Sequence, residues 1–560
     1  MHRAYTSVAL RWAACALAGI AIVAGCARQN ASTTTSTTAQ TAAGSPLPSA
    51  TLPPNPWVVP TDVANATASP GPTVADYDDL GWQSFVALNW PAAVGSTSGV
   101  SGLPNTKLPI GAHSANKAMV PTVWLTYRAD SNTMLAKAQD PGPWPNNPVK
   151  LPSSCAPLSA STPVTPGFQP MYLDLITKFG TGNVLEASGP PLIDQAGWYV
   201  TYDIRLDMSE YTYIQKNGYF NAQTQTKAVQ NNTFVGFPRT GREAMFSPPL
   251  PPLAQFGALE VKAAWRVLDP VKDRAVIPRY YTQAGYFLQP DGKTCAGPTL
   301  FGLIGMHILR LTPSTPATWF WASFEQVDNV DPVSPSRPPT LAKPNTPNGN
   351  CTPSYNVAPT SPPGDVPWNN GNTPVNVCRV TPLPDDVVQS NQSWQAKLAG
   401  TVWANYEMIG TIEPAPAGAS PYPIPSPPTN TTPVNTDTLA NTAMETYFQI
   451  IPGTNTRSSC MTCHAAAAPQ GVNEPPPTTT YQIFTFVLGD AVTPAPSTAP
   501  LAASAPKAKP ARRQAPLPSR VQALLRAAET HASAVPSPAA SGATPAPATP
   551  ATVPAASASP

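Results

Sequence analysis

The sequence predicts an α+β fold, mainly antiparallel β with peripheral helices and long Pro-rich loops, and not a four-helix bundle. Three observations carry this. Proline accounts for 75 of 560 residues, against a usual ~5%, and proline breaks helix interiors and central strands alike. Charged residues make up only 11% of the chain, against a typical ~25%, so a chain of this composition relies on loops. Finally, several stretches alternate apolar residues at period two or are rich in aromatics, as strands are.

From the amino terminus, His2, Arg3 and Arg11 precede an apolar run from Trp12 to Val23, then Ala24, Gly25 and Cys26. Residues 1–25 read as a signal peptide. A run of about 12 residues is shorter than the ~20 needed to cross a bilayer. Val23-Ala24-Gly25-Cys26 resembles the lipobox of bacterial lipoproteins, which implies that Cys26 becomes the lipid-bearing amino terminus. By the sorting rule of that family, Ala27 implies the outer rather than the inner membrane. Residues 26–74 are Ser, Thr, Ala, Asn and Pro with few large apolar side chains, and are expected to be a tether. Residues 493–560, Ala, Pro and Ser-rich, are expected to be a disordered tail.

The intervening body, 75–492, is long enough for one large domain or two intimately joined ones. Asp79 to Trp90 reads as a helix ended by Pro91. Trp198 to Leu206 is a candidate strand, and Leu259 to Val267 alternates as a half-buried strand. Tyr280 to Leu288, Leu300 to Leu311 and Trp319 to Val327 follow as further strands. The connections Pro332–Pro384 and Pro414–Pro433 must lie outside regular elements. Leu439 to Gln449 reads as a short helix with Thr438 as its cap.

After that segment comes Cys460-Met461-Thr462-Cys463-His464. C-x-x-C-H is the attachment signature of c-type haem, in which two thiols bind the haem edge and the adjacent histidine binds iron. With 8 Cys and 5 His in 560 residues, chance placement yields the pattern on the order of 0.001 times. A zinc site would need two more ligands, and the chain holds no second C-x-x-C and no H-x₃₋₅-H. A thioredoxin-like motif would open a long helix, whereas here Ala465 to Ala468 run into Pro469 and Gly471.

The cysteine count fits an oxidising compartment. Cys15 leaves with the signal peptide, Cys26 takes lipid, and Cys460 and Cys463 take haem. Cys155, Cys295, Cys351 and Cys378 remain, with three possible pairings. The expected pairs are Cys351 with Cys378, which bracket a Pro, Gly and Asn-rich loop, and Cys155 with Cys295.

Cys460, Cys463 and His464 resemble the corresponding residues of c-type cytochromes. Gly305-Met306-His307-Ile308, Trp319 to Asn329 and Ser458 to His464 together look like a poorly characterised family of large exported monohaem bacterial proteins. The resemblance implies one covalent haem c, with His464 as proximal ligand, and redox chemistry without a defined substrate. Small cytochromes c take a methionine downstream of the motif as sixth ligand, but here all ten methionines lie at or before Met461. The sixth ligand must then come from upstream, from His307, Met408, Met444, Met306, Met245 or His113, or the position is open. Strand alternation sends Met306 and His307 to opposite faces, so only one of them can face the haem. Glu325 and Asp328 are candidate acids nearby.

The expected function is a lipid-anchored periplasmic cytochrome that passes single electrons to a redox partner protein. The alternative is a peroxidase- or oxidase-like haem enzyme acting on a small-molecule substrate at an open iron position. A net charge of +2 argues against nucleic acid as a partner.

Overall fold

The computed structural model describes residues 51–494 with internal gaps, the larger being 145–152, 157–170, 175–190, 331–338, 360–370, 413–438, 451–459 and 472–482. The expected signal peptide, Cys26, the tail beyond 494, the Pro414–Pro433 connection, Thr438 and Cys463 lie outside the described residues.

The architecture is α+β and dominated by antiparallel pairing. Helix α1 (Val74–Leu88) leads into a two-stranded sheet of β1 (Ala92–Val94) and β2 (Val100–Pro104). The main sheet has eight strands: β3 (Arg128–Ala129), β4 (Met171–Asp174), β5 (Thr201–Leu206), β6 (Leu259–Leu268), β7 (Thr282–Leu288), β8 (Cys295–Arg310), β9 (Phe320–Gln326) and β10 (Tyr406–Ile412). Helices α2 (Met208–Lys216) and α3 (Ala222–Gln230) follow β5, and α4 (Asp385–Lys397) precedes β10. The strand order is β10-β9-β8-β6-β5-β3, with β7 beside β8 and β4 parallel to β7. The 16-residue β8 is the spine, since its first half pairs with β7, its second half with β9, and its opposite edge with β6.

Alternation along these strands gives the sheet two differently covered faces. On one, α1 lays Trp82 and Phe85 against Phe324, at ring-centroid distances of 5.0 and 4.2 Å. Helix α4 stacks Trp394 on Trp82 at 6.0 Å. The same face holds Met306, whose Sδ accepts a hydrogen bond from Asn89 Nδ2 at 3.5 Å. The other face lies under α2 and the carboxyl-terminal segments, where Leu206, Leu309, Trp321, Ile412, Leu439, Ile483 and Leu488 form one buried cluster.

Several expectations are corrected. The tether reading of 26–74 runs too far, because Val59 and Val63 are buried in the core and Leu52 and Trp57 pack against it. Pro53, Pro54, Pro56 and Pro60 fix φ there at little entropic cost, through a turn closed by the Val58 amide on the Asn55 carbonyl at 3.0 Å. Helix α1 starts at Val74, not Asp79, because Thr73 and Asp76 form a capping box. Strand β6 is not half-buried: Glu260 and Arg266, on its nominally polar face, are 6% exposed each, since both sides of the sheet are covered. Leu439–Gln449 is not an α-helix but a turn followed by a short 3-10 helix at Thr446–Phe448.

The two disulfides are those expected, Cys155–Cys295 and Cys351–Cys378, with Cα separations of 4.7 and 5.8 Å. The first ties residues 153–156 to the start of β8. Among the described residues no helix is long and apolar enough to cross a membrane.

Candidate haem-binding site

On the carboxyl-terminal face, three strands present one row of side chains. Lys262 on β6 stands opposite His307 on β8, which stands opposite Ser323 on β9. The neighbouring row is Glu260, Leu309 and Trp321. Of these, His307 is 5% exposed and Trp321 1%.

The segment 441–446 is fastened over this row by groups of β9. Glu325 accepts from the Thr442 amide and the Thr442 hydroxyl, both at 2.6 Å, and from Arg379 at 3.1 Å. Asn441 donates to Ser323 Oγ and to the Phe324 carbonyl, both at 3.0 Å. Gly305 permits the approach: a Cβ there would stand 3.2 Å from the Met444 methyl and 3.3 Å from Asn441 Oδ1. These contacts deny the segment a helix, because the Asn441 amide bonds to the Glu445 carboxylate and the Ala443 amide to Asn441 Oδ1. Glu325 is thus a structural clamp, and Asp328 pairs with Arg279 at 2.7 Å, so neither is available as an acid.

The turn delivers Glu445 to His307, Oε2 to Nε2 at 3.5 Å. Burial alone would raise the Glu445 carboxyl, but the opposing charges of His307 and Lys262 and the Asn441 amide hold it below the usual carboxylate range.

Cys460 and His464 are both helical and four residues apart, hence on one face of one turn. Cys460 is 9% exposed, with Sγ 3.8 Å from the Leu439 carbonyl. Burial, followed by the Glu445 charge, pushes its thiol up, so it is undissociated. His464 Nδ1 is 2.7 Å from the Phe484 carbonyl. Its ring meets Trp321 edge-on at 5.4 Å and Phe486 at 5.1 Å. Burial lowers its pKa to about 4; the Phe484 hydrogen bond opposes this, and Lys262 and His307 add to it. At neutral pH the ring is uncharged, and since a carbonyl can only accept, Nδ1 carries the hydrogen and Nε2 the lone pair.

Phe484 adopts a left-handed backbone conformation, φ 56°, which costs about 1–2 kcal/mol for a residue with a side chain. That strain aims the carbonyl that orients His464, and it belongs with the strained positions that collect at functional sites.

The alternative ligands separate cleanly. Met408 lies on the α1 face, its Sδ 3.2 Å from where a Gly81 Cβ would stand. Met306 is on that face too. Met444 is fully buried on the carboxyl-terminal face, over Gly305. Met245 packs at the edge of the cluster, and His113 is exposed in a turn bridged to Met119. Of the predicted residues, Cys460, His464 and His307 lie on this face and interact electrostatically with its charged groups, while Met444 packs over Gly305 in the neighbouring cluster. Lys262, Glu445 and Phe484 complete the site and were not foreseen.

The residues fit a haem: a neutral imidazole with a lone pair on Nε2, its other nitrogen tied to a carbonyl as metal-bound histidines commonly are, and a cysteine one turn before it. Among the described residues no group of three or more His, Cys, Asp or Glu is arranged to hold a bare metal ion. No family model, no curated protein and no solved structure matches the chain.

Proposed function

We propose that the chain is an exported, lipid-anchored c-type cytochrome that carries single electrons through one covalent haem, with a periplasmic redox protein as partner. The observation that carries this reading is the state of His464: neutral, half-buried, its Nδ1 tied to Phe484, inside the C-x-x-C-H of Cys460 to His464. When bound, the haem supplies a one-electron Fe(III)/Fe(II) couple.

The chain's own residues do the rest. His464 offers Nε2 to iron, Phe484 fixes the ring, and Cys460 and Cys463 provide the thioether sulfurs. Trp321 and Phe486 pack against the imidazole and hold its ring in place, which favours electron transfer with little reorganisation. His307 is the residue proposed as sixth ligand, because it is buried on the same face and interacts electrostatically with His464.

The second reading, a haem enzyme with an open iron position, draws on the His307–Glu445 pair. There His307 would keep Glu445 as its partner and move a proton to or from a small substrate such as a peroxide.

The test is expression with cytochrome maturation machinery. Haem resistant to acid–acetone extraction is expected, reduced in Cys460→Ala and Cys463→Ala, with the iron spectrum most disturbed in His464→Ala. Extraction of all haem from the wild type would end the cytochrome reading.

A further inference from the structure

Where the strand order of the main sheet ends, on β3, a buried cation stands without a counter-charge. Arg128 is 1% exposed, and its Nε and Nη1 are buried without a hydrogen-bond partner. Its guanidinium carbon lies 4.6 Å from the centre of the Tyr211 ring on α2, and Nη2 donates to the Pro141 carbonyl. Arg128 forms no ion pair among the described residues. The carboxylate that acts on it is Asp140, which is exposed and already accepts from the Gly142 amide at 2.8 Å and from Gln215 Nε2 at 3.1 Å.

A third donor lies against the same ring. Trp144 packs 5.8 Å from Tyr211 and 6.4 Å from Tyr127, and its Nε1 is likewise buried without a partner. Three nitrogen donors, two of them on a charged group, thus gather around Tyr211 with nothing to accept from them. Leaving them so costs more than the cation–π contact on Tyr211 returns, because an unpaired charge in the interior has lost its hydration. Their cover is residues 140–144, and side chains hold it down: Arg128 on the Pro141 carbonyl, the Tyr211 hydroxyl on the Gly142 carbonyl, and Gln215 on the Asp140 carboxylate. Among the described residues no backbone–backbone hydrogen bond joins 140–144 to another part of the chain. Gly142, φ 84°, has open space where a Cβ would stand. The cover can lift without breaking a helix or a sheet, and lifting it bares the donors.

We propose that Arg128, Trp144 and Tyr211 form a binding site for a small oxyanion, a carboxylate or phosphate group, which enters beneath residues 140–144. The anion neutralises Arg128 and accepts charge-assisted hydrogen bonds from its free nitrogens. A second oxygen accepts from Trp144 Nε1, which is why a group with several oxygens fits better than a halide. The Tyr211 ring is the floor. The site uses none of Cys460, His307 and His464, and it stands whether or not the chain carries haem.

The experiment is thermal unfolding and isothermal titration of the full chain at neutral pH with inorganic phosphate and, separately, acetate, ionic strength being held constant with sodium chloride. A saturable rise in Tm with one anion bound per chain is expected from at least one of them. Phosphate alone would assign the site to phosphate groups, and acetate alone to carboxylates. Arg128→Met should abolish the effect, and Trp144→Phe should weaken the affinity up to about tenfold, the loss of one hydrogen bond. The order of stability should also invert. Without either anion Arg128→Met unfolds no lower than the wild type, and at saturation it unfolds below it. Absence of a saturable effect with both anions overturns the proposal, as does an equal effect in Arg128→Met. Should Arg128→Met fail to fold, Arg128→Lys, which keeps the charge but not the guanidinium donors, is measured beside Trp144→Phe, and unchanged affinity in both overturns the site.

Discussion

Met306 and His307 are neighbours in the chain and lie on opposite faces of the same sheet. Met306 is held under α1 by Asn89, whereas His307 faces Glu445 across 3.5 Å on the side of Cys460 and His464. If the chain binds haem with His307 as sixth ligand, His307→Ala should convert the ferrous spectrum to a high-spin form that binds carbon monoxide. Met408→Ala should leave the spectrum intact and cost about 2–5 kcal/mol as a buried truncation. Met444→Ala should also leave the spectrum intact. A wild type that already binds carbon monoxide stoichiometrically would favour the haem enzyme, and peroxide turnover would then be measured.

Asp78 on α1 is 3% exposed and accepts from Thr411 Oγ1 at 2.8 Å. Burial, only partly offset by that bond, raises its carboxyl to about 6. The folded state thus holds this proton more tightly than the unfolded chain, so Asp78 makes stability fall as pH rises from about 4 to 6. Asp78→Asn keeps an acceptor for Thr411 and removes the buried charge. It should raise stability at pH 7 by on the order of 1–3 kcal/mol and flatten that part of the profile, as thermal unfolding across pH 4–8 would reveal. An unchanged profile would show that Asp78 is not the group responsible.

The two disulfides close loops of very different size, with sequence separations of 140 and 27. Loop-closure entropy predicts a loss of about 5 kcal/mol for Cys155→Ser/Cys295→Ser and about 3–4 for Cys351→Ser/Cys378→Ser. Unfolding of the two double variants in denaturant tests the order. A larger loss for the shorter loop would point to packing around Cys378, which is fully buried, as the dominant contribution.

Under the exported reading, Cys26→Ser should abolish lipidation and either block processing or release the product from membranes. Fractionation and mass measurement of the amino terminus are the readouts. A processed Cys26→Ser protein that stays on membranes would show that another element anchors it.

Much of the sheet was legible because period two survives in β6 and because apolar and aromatic strand formers mark β8 and β9, and strand alternation assigned Met306 and His307 to separate faces. What failed was anything decided by cover. Glu260 and Arg266 look like the wet side of β6, but the carboxyl-terminal segments lie over part of that side, and no local pattern announces a partner more than 200 residues away. Leu439–Gln449 has helical spacing, yet Asn441 and Glu445 spend their side chains on the turn's own amides. Helices α2 and α3 are polar along much of their length, so their short apolar stripes passed unnoticed. In the site, the C-x-x-C-H and His307 could be read from residue type alone. Phe484 could not, since nothing about a phenylalanine foretells a positive φ.

The burial of Cys460 sets an order of events in biogenesis. Its thiol is covered beside Leu439 and held in the protonated, unreactive form, on a face assembled from strands that all precede it in the chain. An attachment enzyme could not reach it once the last segments have docked. Under the cytochrome reading, haem is then expected to be joined to the carboxyl-terminal stretch before that stretch closes over β8, with docking as the final step of maturation. A chain that folds ahead of its haem would be a dead end, distinguishable in cells as a compact, protease-resistant and colourless pool.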